Sequence, residues 1–167
     1  MTSDPRANPD PARPVQEAAN LGVARPPLVY LGSIALGVIL HFAFPISLLP
    51  RGVSPYFGAA VVLLAIGLFL FAVRTFRAAG TPVPGNRPTT TIVRKGPYRF
   101  SRNPIYLAFS LLQLGIALWV NSLWLVLLLF AAVAVMSLVV IPREERYLEA
   151  RFPSDYSPYK ASVRRWL

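Results

Sequence analysis

The stretch from Pro104 to Ile141, PIYLAFSLLQLGIALWVNSLWLVLLLFAAVAVMSLVVI, contains no charged residue. As one α-helix it would be about 57 Å long, whereas the hydrocarbon core of a bilayer is roughly 30 Å thick. The chain must therefore fold back on itself, and the polar pair Asn121-Ser122 marks the turn. We predict a helical hairpin of two membrane spans, over about 104–120 and 122–141.

Two earlier apolar stretches are also long enough to cross the bilayer, over about 28–49 and 55–73. Together with the hairpin they predict an all-α integral membrane fold with about four transmembrane helices. Residues 1–26 are rich in proline and charge and have too little apolar surface to offset the entropy of ordering. We expect a disordered tail there, followed by one membrane domain over residues 27–167.

The composition excludes several kinds of site. Apolar residues make up 54% of the chain and charged residues 14%, and cysteine is absent. Disulfides, cysteine-bound metals and a thiol nucleophile are therefore ruled out. The one histidine, His41, cannot form a multi-histidine metal site within a single chain.

The basic residues predict the orientation. Seven Lys or Arg and no acid lie between Arg74 and Asn103, and six more basic residues follow Ile141, whereas the other two loops hold only Arg51. The positive-inside rule then places both termini in the cytoplasm, as in a bacterial-type inner membrane protein. The formal net charge of +10 is explained by lipid phosphates beside the spans, so we expect membrane lipids as partners and no nucleic acid.

Acidic residues cluster just beyond the last span. None occurs between Glu17 and Glu144, and then Glu144, Glu145 and Glu149 come close together. A helix end that emerges into water explains such a cluster. A polar site at the mouth of the bundle explains it as well, because carboxylates so near hydrocarbon are costly unless they are paired.

The stretch Gly96–Tyr106, GPYRFSRNPIY, precedes the hairpin and leads to the same predicted face. Its glycine and proline indicate a turn, and Pro104 suits the first turn of a helix. The free N–H groups of a helix start attract a carboxylate or a phosphate. A membrane-entry turn whose arginines meet lipid phosphates fits the same residues.

The ordered set GPYRFSRNPIYLA, an apolar hairpin and PREERYLEARFPSDYSPYKASVRRW resembles the C-terminal half of the isoprenylcysteine carboxyl methyltransferase and phospholipid methyltransferase superfamily. The resemblance covers about residues 82–167. It implies a helical membrane methyltransferase without a Rossmann domain, with a cytoplasmic C-terminal lid segment. It also implies S-adenosylmethionine as the cofactor, bound between the last spans and the C-terminal segment.

By this resemblance a set of residues along the C-terminal half would bind the cofactor. They are Tyr98, Arg102, Asn103, Pro104, Tyr106, Leu107, Glu144, Glu145, Tyr156 and Tyr159. Two positions depart from the family pattern, since Asn103 replaces the usual histidine and Ala108 the usual glycine. Asparagine does not titrate near neutral pH, so a proton-shuttling role at this position is lost.

For catalysis we expect Glu145, with Arg143 or Arg99 nearby, to position the methyl acceptor or a water molecule. The acceptor would be a lipophilic small molecule or a lipidated group that carries a carboxylate, an amine or a thiol. Two alternatives keep the fold: an NADPH-dependent reductase of the sterol-reductase type, and a non-catalytic assembly or lipid-binding relative. The last residues indicate an interfacial anchor, formed by Lys160, Arg164, Arg165 and Trp166.

Overall fold

The computed structural model describes residues 25–50, 54–80 and 90–167. These ranges are helical and contain no strand. In chain order they form α1 (Pro26–Ala43), α2 (Ser54–Ala78), a short 3-10 helix (Gly96–Arg99), α3 (Pro104–Val120), α4 (Leu123–Val135), a π-helical turn (Met136–Val140), α5 (Ile141–Arg151) and α6 (Pro153–Ser162).

Three of the described helices are long and apolar enough to cross a bilayer: Pro26–Ala43, Pro55–Ala78 and the continuous helix Leu123–Arg151. The apolar α3, with 17 residues, completes the hairpin with α4. The predicted all-α membrane fold and its C-terminal hairpin are therefore confirmed. The predicted division into a tail and a membrane domain stays a prediction, because residues 1–24 lie outside the described part of the chain.

The ends of three helices differ from the predicted spans, whereas α3 has the predicted bounds. Helix α1 ends at Ala43 instead of 49, because Pro45 disfavours a helical conformation at the residue before it. Helix α2 continues beyond 73 to Ala78. The last helix continues beyond 141 to Arg151, so its polar end carries the acidic cluster.

The segment after α1 packs against the turn of the hairpin. Asn121 adopts a left-handed conformation with φ of 57°, and its side-chain oxygen accepts hydrogen bonds from the backbone N–H groups of Leu48 and Leu49, at 2.9 and 2.8 Å. The Leu123 N–H donates to the Ile46 carbonyl at 3.1 Å. The polar residues of the turn therefore satisfy backbone groups that an apolar surrounding would leave unpaired.

Two glycines allow α2 and α3 to approach each other closely. A Cβ atom on Gly58 would lie 2.3 Å from the backbone nitrogen of Trp119, and one on Gly115 would lie 2.7 Å from a side-chain carbon of Val62. Helices in membranes gain stability from such close van der Waals packing. Any larger residue at either position would push the two helices apart.

A buried hydrogen-bonded bridge joins α1, α3 and α4. The Gln113 amide nitrogen donates to the Ser33 hydroxyl at 2.7 Å and to the Leu125 carbonyl at 3.2 Å. Ser33 in turn donates to the Leu128 carbonyl at 3.1 Å. Polar bridges of this kind add about 0.6–2 kcal/mol to helix association in a bilayer, and here they fix α1 against the hairpin.

Residues 163–167 follow α6 and form a non-helical segment that we call the C-terminal strap. The strap returns across the loop that leads into α3, where the Arg102 N–H donates to the Arg164 carbonyl at 3.0 Å. At its far end the Trp166 indole N–H donates to the Ser137 hydroxyl of the π-helical turn at 3.1 Å. The strap therefore connects the start of α3 to the middle of the last membrane helix.

Candidate functional site

The residues predicted to form a site meet at one end of the helix bundle, and the turn at Gly96 helps to place them there. Gly96 has a φ of +58°, and a Cβ atom on it would lie 2.8 Å from the Thr75 hydroxyl of α2. Glycine is favoured at this position for both reasons. The turn buries Tyr98, whose ring packs edge-on against Phe76 with a centroid separation of 4.8 Å.

Glu145 is the centre of the charged cluster. Its side chain is only 7% exposed, and Arg165 donates to both of its oxygens, from Nε at 3.0 Å and from Nη2 at 2.7 Å. Arg102 Nη1 lies 3.2 Å from the same carboxylate, and Lys160 Nζ lies at 4.0 Å. Such a forked pair is among the stronger hydrogen-bonded contacts in proteins.

Glu144 has a different environment from its neighbour. The Tyr106 hydroxyl donates to Glu144 Oε1 at 2.5 Å, and among the described residues no cation pairs with this carboxylate. Successive residues of an α-helix point about 100° apart, so the two carboxylates face different partners. Glu145 is paired with cations, whereas Glu144 keeps one oxygen, Oε2, without a hydrogen-bond partner in the described ranges.

Three tyrosines surround the charged cluster. The Tyr159 hydroxyl donates to the Tyr98 carbonyl at 2.8 Å, and Arg102 Nη1 donates to the Tyr156 hydroxyl at 3.4 Å. Burial, helped by the nearby Glu145 charge and opposed by Arg102, raises the pKa of Tyr156 to about 12. Burial also raises the pKa of Tyr98 and of Tyr159. All three hydroxyls are therefore protonated at neutral pH.

Asn103 connects the start of α3 to the strap. Its side-chain nitrogen donates to the Arg165 carbonyl at 3.0 Å, and Ser101 Oγ donates to the same carbonyl at 3.4 Å. The Asn103 backbone N–H donates to Ser101 Oγ at 3.1 Å. The side chain that replaces the histidine of the resembled family is therefore a structural donor in this protein.

Most of the sequence-predicted site residues come together. Eight of them belong to the contacts just described: Tyr98, Arg102, Asn103, Tyr106, Glu144, Glu145, Tyr156 and Tyr159. Pro104 is buried in the first turn of α3, and Leu107 is half-buried, with its backbone N–H bonded to the Asn103 carbonyl at 2.9 Å.

The expected pairing of Glu145 with Arg143 or Arg99 is replaced by other cations. Both arginines are exposed, and neither forms an ion pair within the described ranges. Their catalytic assignment stays a prediction. The sequence reasoning misses Arg165 as a site residue, because the basic pattern of the last residues predicts only an interfacial anchor. A signal was present, since a carboxylate close to hydrocarbon requires cationic partners.

Two buried donors near the cluster lack a hydrogen-bond partner. They are the Tyr98 hydroxyl and Arg102 Nε. A buried polar group without a partner costs about 1–3 kcal/mol, so a polar ligand that satisfies these groups gains affinity. With the open Oε2 of Glu144, the site offers donors for an anionic group and an acceptor for hydroxyls or an ammonium. Such a set suits a ligand that carries a carboxylate, hydroxyls and an ammonium.

The site contains no obvious metal centre. Within the described residues no three His, Cys, Asp or Glu side chains are grouped so that they could hold a metal ion. The side chains that meet at this end of the bundle supply carboxylates, guanidinium groups and tyrosine hydroxyls.

One known family model and two known proteins match parts of the chain. The family model described as "Phospholipid methyltransferase" matches residues 53–155, more than half of the chain. An uncharacterized protein of Haemophilus influenzae is 45% identical over 65 residues, which cover 38% of this chain and 100% of that protein.

A second relative is the cobalt-zinc-cadmium resistance protein CzcN of Cupriavidus metallidurans, 37% identical over 73 residues. The match covers 44% of this chain and 33% of CzcN, so the chain spans about a third of that relative's length. No solved structure matches the chain.

Proposed function

Because the chain belongs to the phospholipid methyltransferase family, we propose that it is an integral-membrane enzyme that transfers the methyl group of S-adenosylmethionine to a lipid-embedded or amphiphilic acceptor. The observation that carries the proposal is the pair of unlike glutamates at the start of α5. Glu145 is held by arginines, and Glu144 is held by a tyrosine and keeps an open oxygen.

The proposed cofactor supplies an electrophilic methyl group on a sulfonium, and the protein supplies binding and alignment. In the proposal, Arg102 Nε and the Tyr98 hydroxyl receive the anionic end of the ligand, because both are buried donors without partners. Glu144 Oε2 receives hydroxyl or ammonium hydrogens. Glu145 acts mainly by holding Arg102 in place.

Methyl transfer is an in-line displacement, so the main demands on the protein are alignment and the exclusion of water. The tyrosines around the cluster are buried, which supports the second requirement. Asn103 does not titrate near neutral pH, and its amide is engaged with the strap. An acceptor that reaches the site as a carboxylate or a thiolate needs no base at this position.

The acceptor is proposed to enter from the bilayer. Helices α1 and α2 expose many large apolar side chains, including Leu31, Ile39 and Leu63, as expected for surfaces that face lipid. In the proposal, the site at the end of this bundle lies within reach of the headgroup region. An acceptor with an apolar tail and a carboxylate, amine or thiol head fits this position.

The first experiment measures methyl transfer directly. Membranes from cells with and without the protein are incubated with S-adenosylmethionine labelled in the methyl group, and lipid and protein fractions are counted. We expect incorporation into one amphiphilic fraction that depends on the protein. Equal incorporation in both membranes would contradict the proposed activity.

The second experiment measures cofactor binding by calorimetry with the full chain in nanodiscs. We expect binding by the wild-type protein, and weaker binding after Glu144→Gln or Tyr106→Phe. Glu149→Gln is the matched control, since Glu149 lies on the same helix and pairs with Lys160 at 2.7 Å. NADPH at the same concentration should neither bind nor compete, and its binding in place of S-adenosylmethionine would favour a reductase instead.

A further inference from the structure

Arg165 lies on the strap and provides more hydrogen bonds to Glu145 than any other described residue. Its Nε and Nη2 donate to the two carboxylate oxygens, at 3.0 and 2.7 Å. The contact with Arg102 involves one nitrogen and one oxygen, at 3.2 Å. Arg165 therefore contacts both oxygens of the carboxylate, whereas Arg102 contacts one of them.

The main chain of the strap is fixed independently of the Arg165 side chain. The Arg164 carbonyl accepts from the Arg102 N–H at 3.0 Å, and the Arg165 carbonyl accepts from the Asn103 amide at 3.0 Å. Ser101 adds a longer contact to the second carbonyl, at 3.4 Å. The guanidinium of Arg165 thus extends from a backbone that is held against the start of α3.

The π-helical turn holds the other side of the Arg165 guanidinium. A π-helical turn widens the helix and leaves carbonyls less completely bonded within it, and such turns are frequent at functional sites. Here the Ser137 carbonyl accepts from Arg165 Nη1 at 3.4 Å, and the Ser137 hydroxyl accepts from Trp166 at 3.1 Å. Every nitrogen of the Arg165 guanidinium therefore has a partner.

The bonding of the two arginines differs in a way that bears on ligand binding. Arg165 has all its nitrogens engaged, whereas Arg102 keeps a buried Nε without a partner. If Arg165 were absent, a forked pair with Glu145 would become available to Arg102. The Nε–H of Arg102 would then be consumed by the carboxylate and lost to a ligand.

We propose that Arg165 is a positioning residue of this site, which holds the Glu145 carboxylate so that Arg102 retains a free donor for the anionic end of the bound cofactor. The inference rests on the proposed function, because it concerns the same cofactor. Arg165 acts through Glu145 and Arg102 and is not assigned a contact with the reacting atoms.

The test compares the dissociation constant of S-adenosylmethionine for the full chain in nanodiscs across a set of variants. For Arg165→Ala we expect an increase of roughly tenfold to a hundredfold, the range for one or two charge-assisted hydrogen bonds. Arg164→Ala is the matched control. It removes the same charge one position away, its side chain is exposed, and it contributes to the strap through its carbonyl. Its dissociation constant should stay within about twofold.

Further variants separate positioning from general stability. Arg165→Lys keeps the charge but cannot bind both oxygens, so it should recover only part of the affinity. Trp166→Phe removes the bond to Ser137 and leaves the Arg165 fork, so it should change affinity much less than Arg165→Ala. The double variant Glu145→Gln, Arg165→Ala should bind S-adenosylmethionine no more weakly than whichever single variant binds it more weakly, because both changes remove the same Glu145–Arg165 contact.

Each outcome has a defined meaning. Unchanged affinity in Arg165→Ala, full recovery in Arg165→Lys, or additive losses in the double variant would overturn the positioning role and leave the proposed function intact. An equal loss in Trp166→Phe would also overturn it, in favour of a lid role for the whole strap. Failure of the folded wild-type protein to bind S-adenosylmethionine would overturn both the proposed function and the inference.

Discussion

Replacing Glu145 with glutamine removes the one negative charge that Arg102 and Arg165 share. The Glu145 and Arg102 side chains are 7% and 10% exposed, so this pair is buried, and breaking such a pair costs about 3–5 kcal/mol. The Arg165 side chain is 36% exposed, so solvent screens its contact, which adds about 1 kcal/mol at most. Because the amide can still accept one hydrogen bond, we expect Glu145→Gln to lower the free energy of unfolding by about 3 kcal/mol.

Unfolding by SDS in mixed micelles, followed by tryptophan fluorescence, measures this loss. Glu149→Gln is the comparison, since its pair with Lys160 is more than a third exposed on both sides and should contribute less than about 1 kcal/mol. Equal stability of the wild-type protein and Glu145→Gln would refute the buried ion pair as a source of stability. Equal losses in the two glutamine variants would refute the argument from burial.

Four further predictions follow from the contacts. Gly115→Val should destabilise the protein by about 1–3 kcal/mol, because it forces α2 away from α3. Gly67 has open space around it, so Gly67→Ala should leave the stability unchanged. Thermal unfolding in detergent measures both effects. Gln113→Leu should lower the free energy of unfolding by about 1 kcal/mol, because it removes the bridge to Ser33. If the double variant Gln113→Leu, Ser33→Ala loses the sum of the two single losses, the two side chains do not share a stabilising bond. Asn103→Ala should expose the strap to faster hydrogen exchange, whereas Asn103→His should restore protection, because an imidazole N–H can donate to the Arg165 carbonyl. The pKa of Tyr156 rises to about 12 in the folded state. The contribution of Tyr156 to the free energy of unfolding should therefore be fully present below about pH 10 and lost as the pH rises towards 12. A pH series of melting temperatures in which Tyr156→Phe behaves as the wild type would contradict this assignment.

The hairpin was predictable because its cause is local. An uncharged stretch too long for one crossing must turn, and Asn121 and Pro104 mark where α3 ends and begins. Hydropathy alone does not predict the end of α1, because the residues after Ala43 remain apolar. The helix ends there because Pro45 disfavours a helical conformation at the residue before it. Apolar composition sets where a chain can lie in a bilayer, and proline sets where its helix can continue.

The partners of Glu145 were not predictable from spacing along the chain. Arg143 is close in sequence, but on a helix it points away from Glu145, since residues two apart do not share a face. Arg165 reaches the carboxylate because the chain ends one helix at Arg151, begins another at Pro153 and returns as the strap. That path depends on tertiary contacts, which the pattern of residue types does not contain.

The π-helical turn at Met136–Val140 has a consequence for how the sequence can change over time. The wider turn takes up about one more residue than an α-helical turn, so the same residues wound as a regular α-helix would rotate everything beyond them by about 100° relative to α4. Glu144 would then move away from Tyr106 and Glu145 from the strap, although no functional residue had been altered. The wide turn and the number of residues in it should therefore be inherited together, and Met136 and Val140, which are buried within it, should change little in volume.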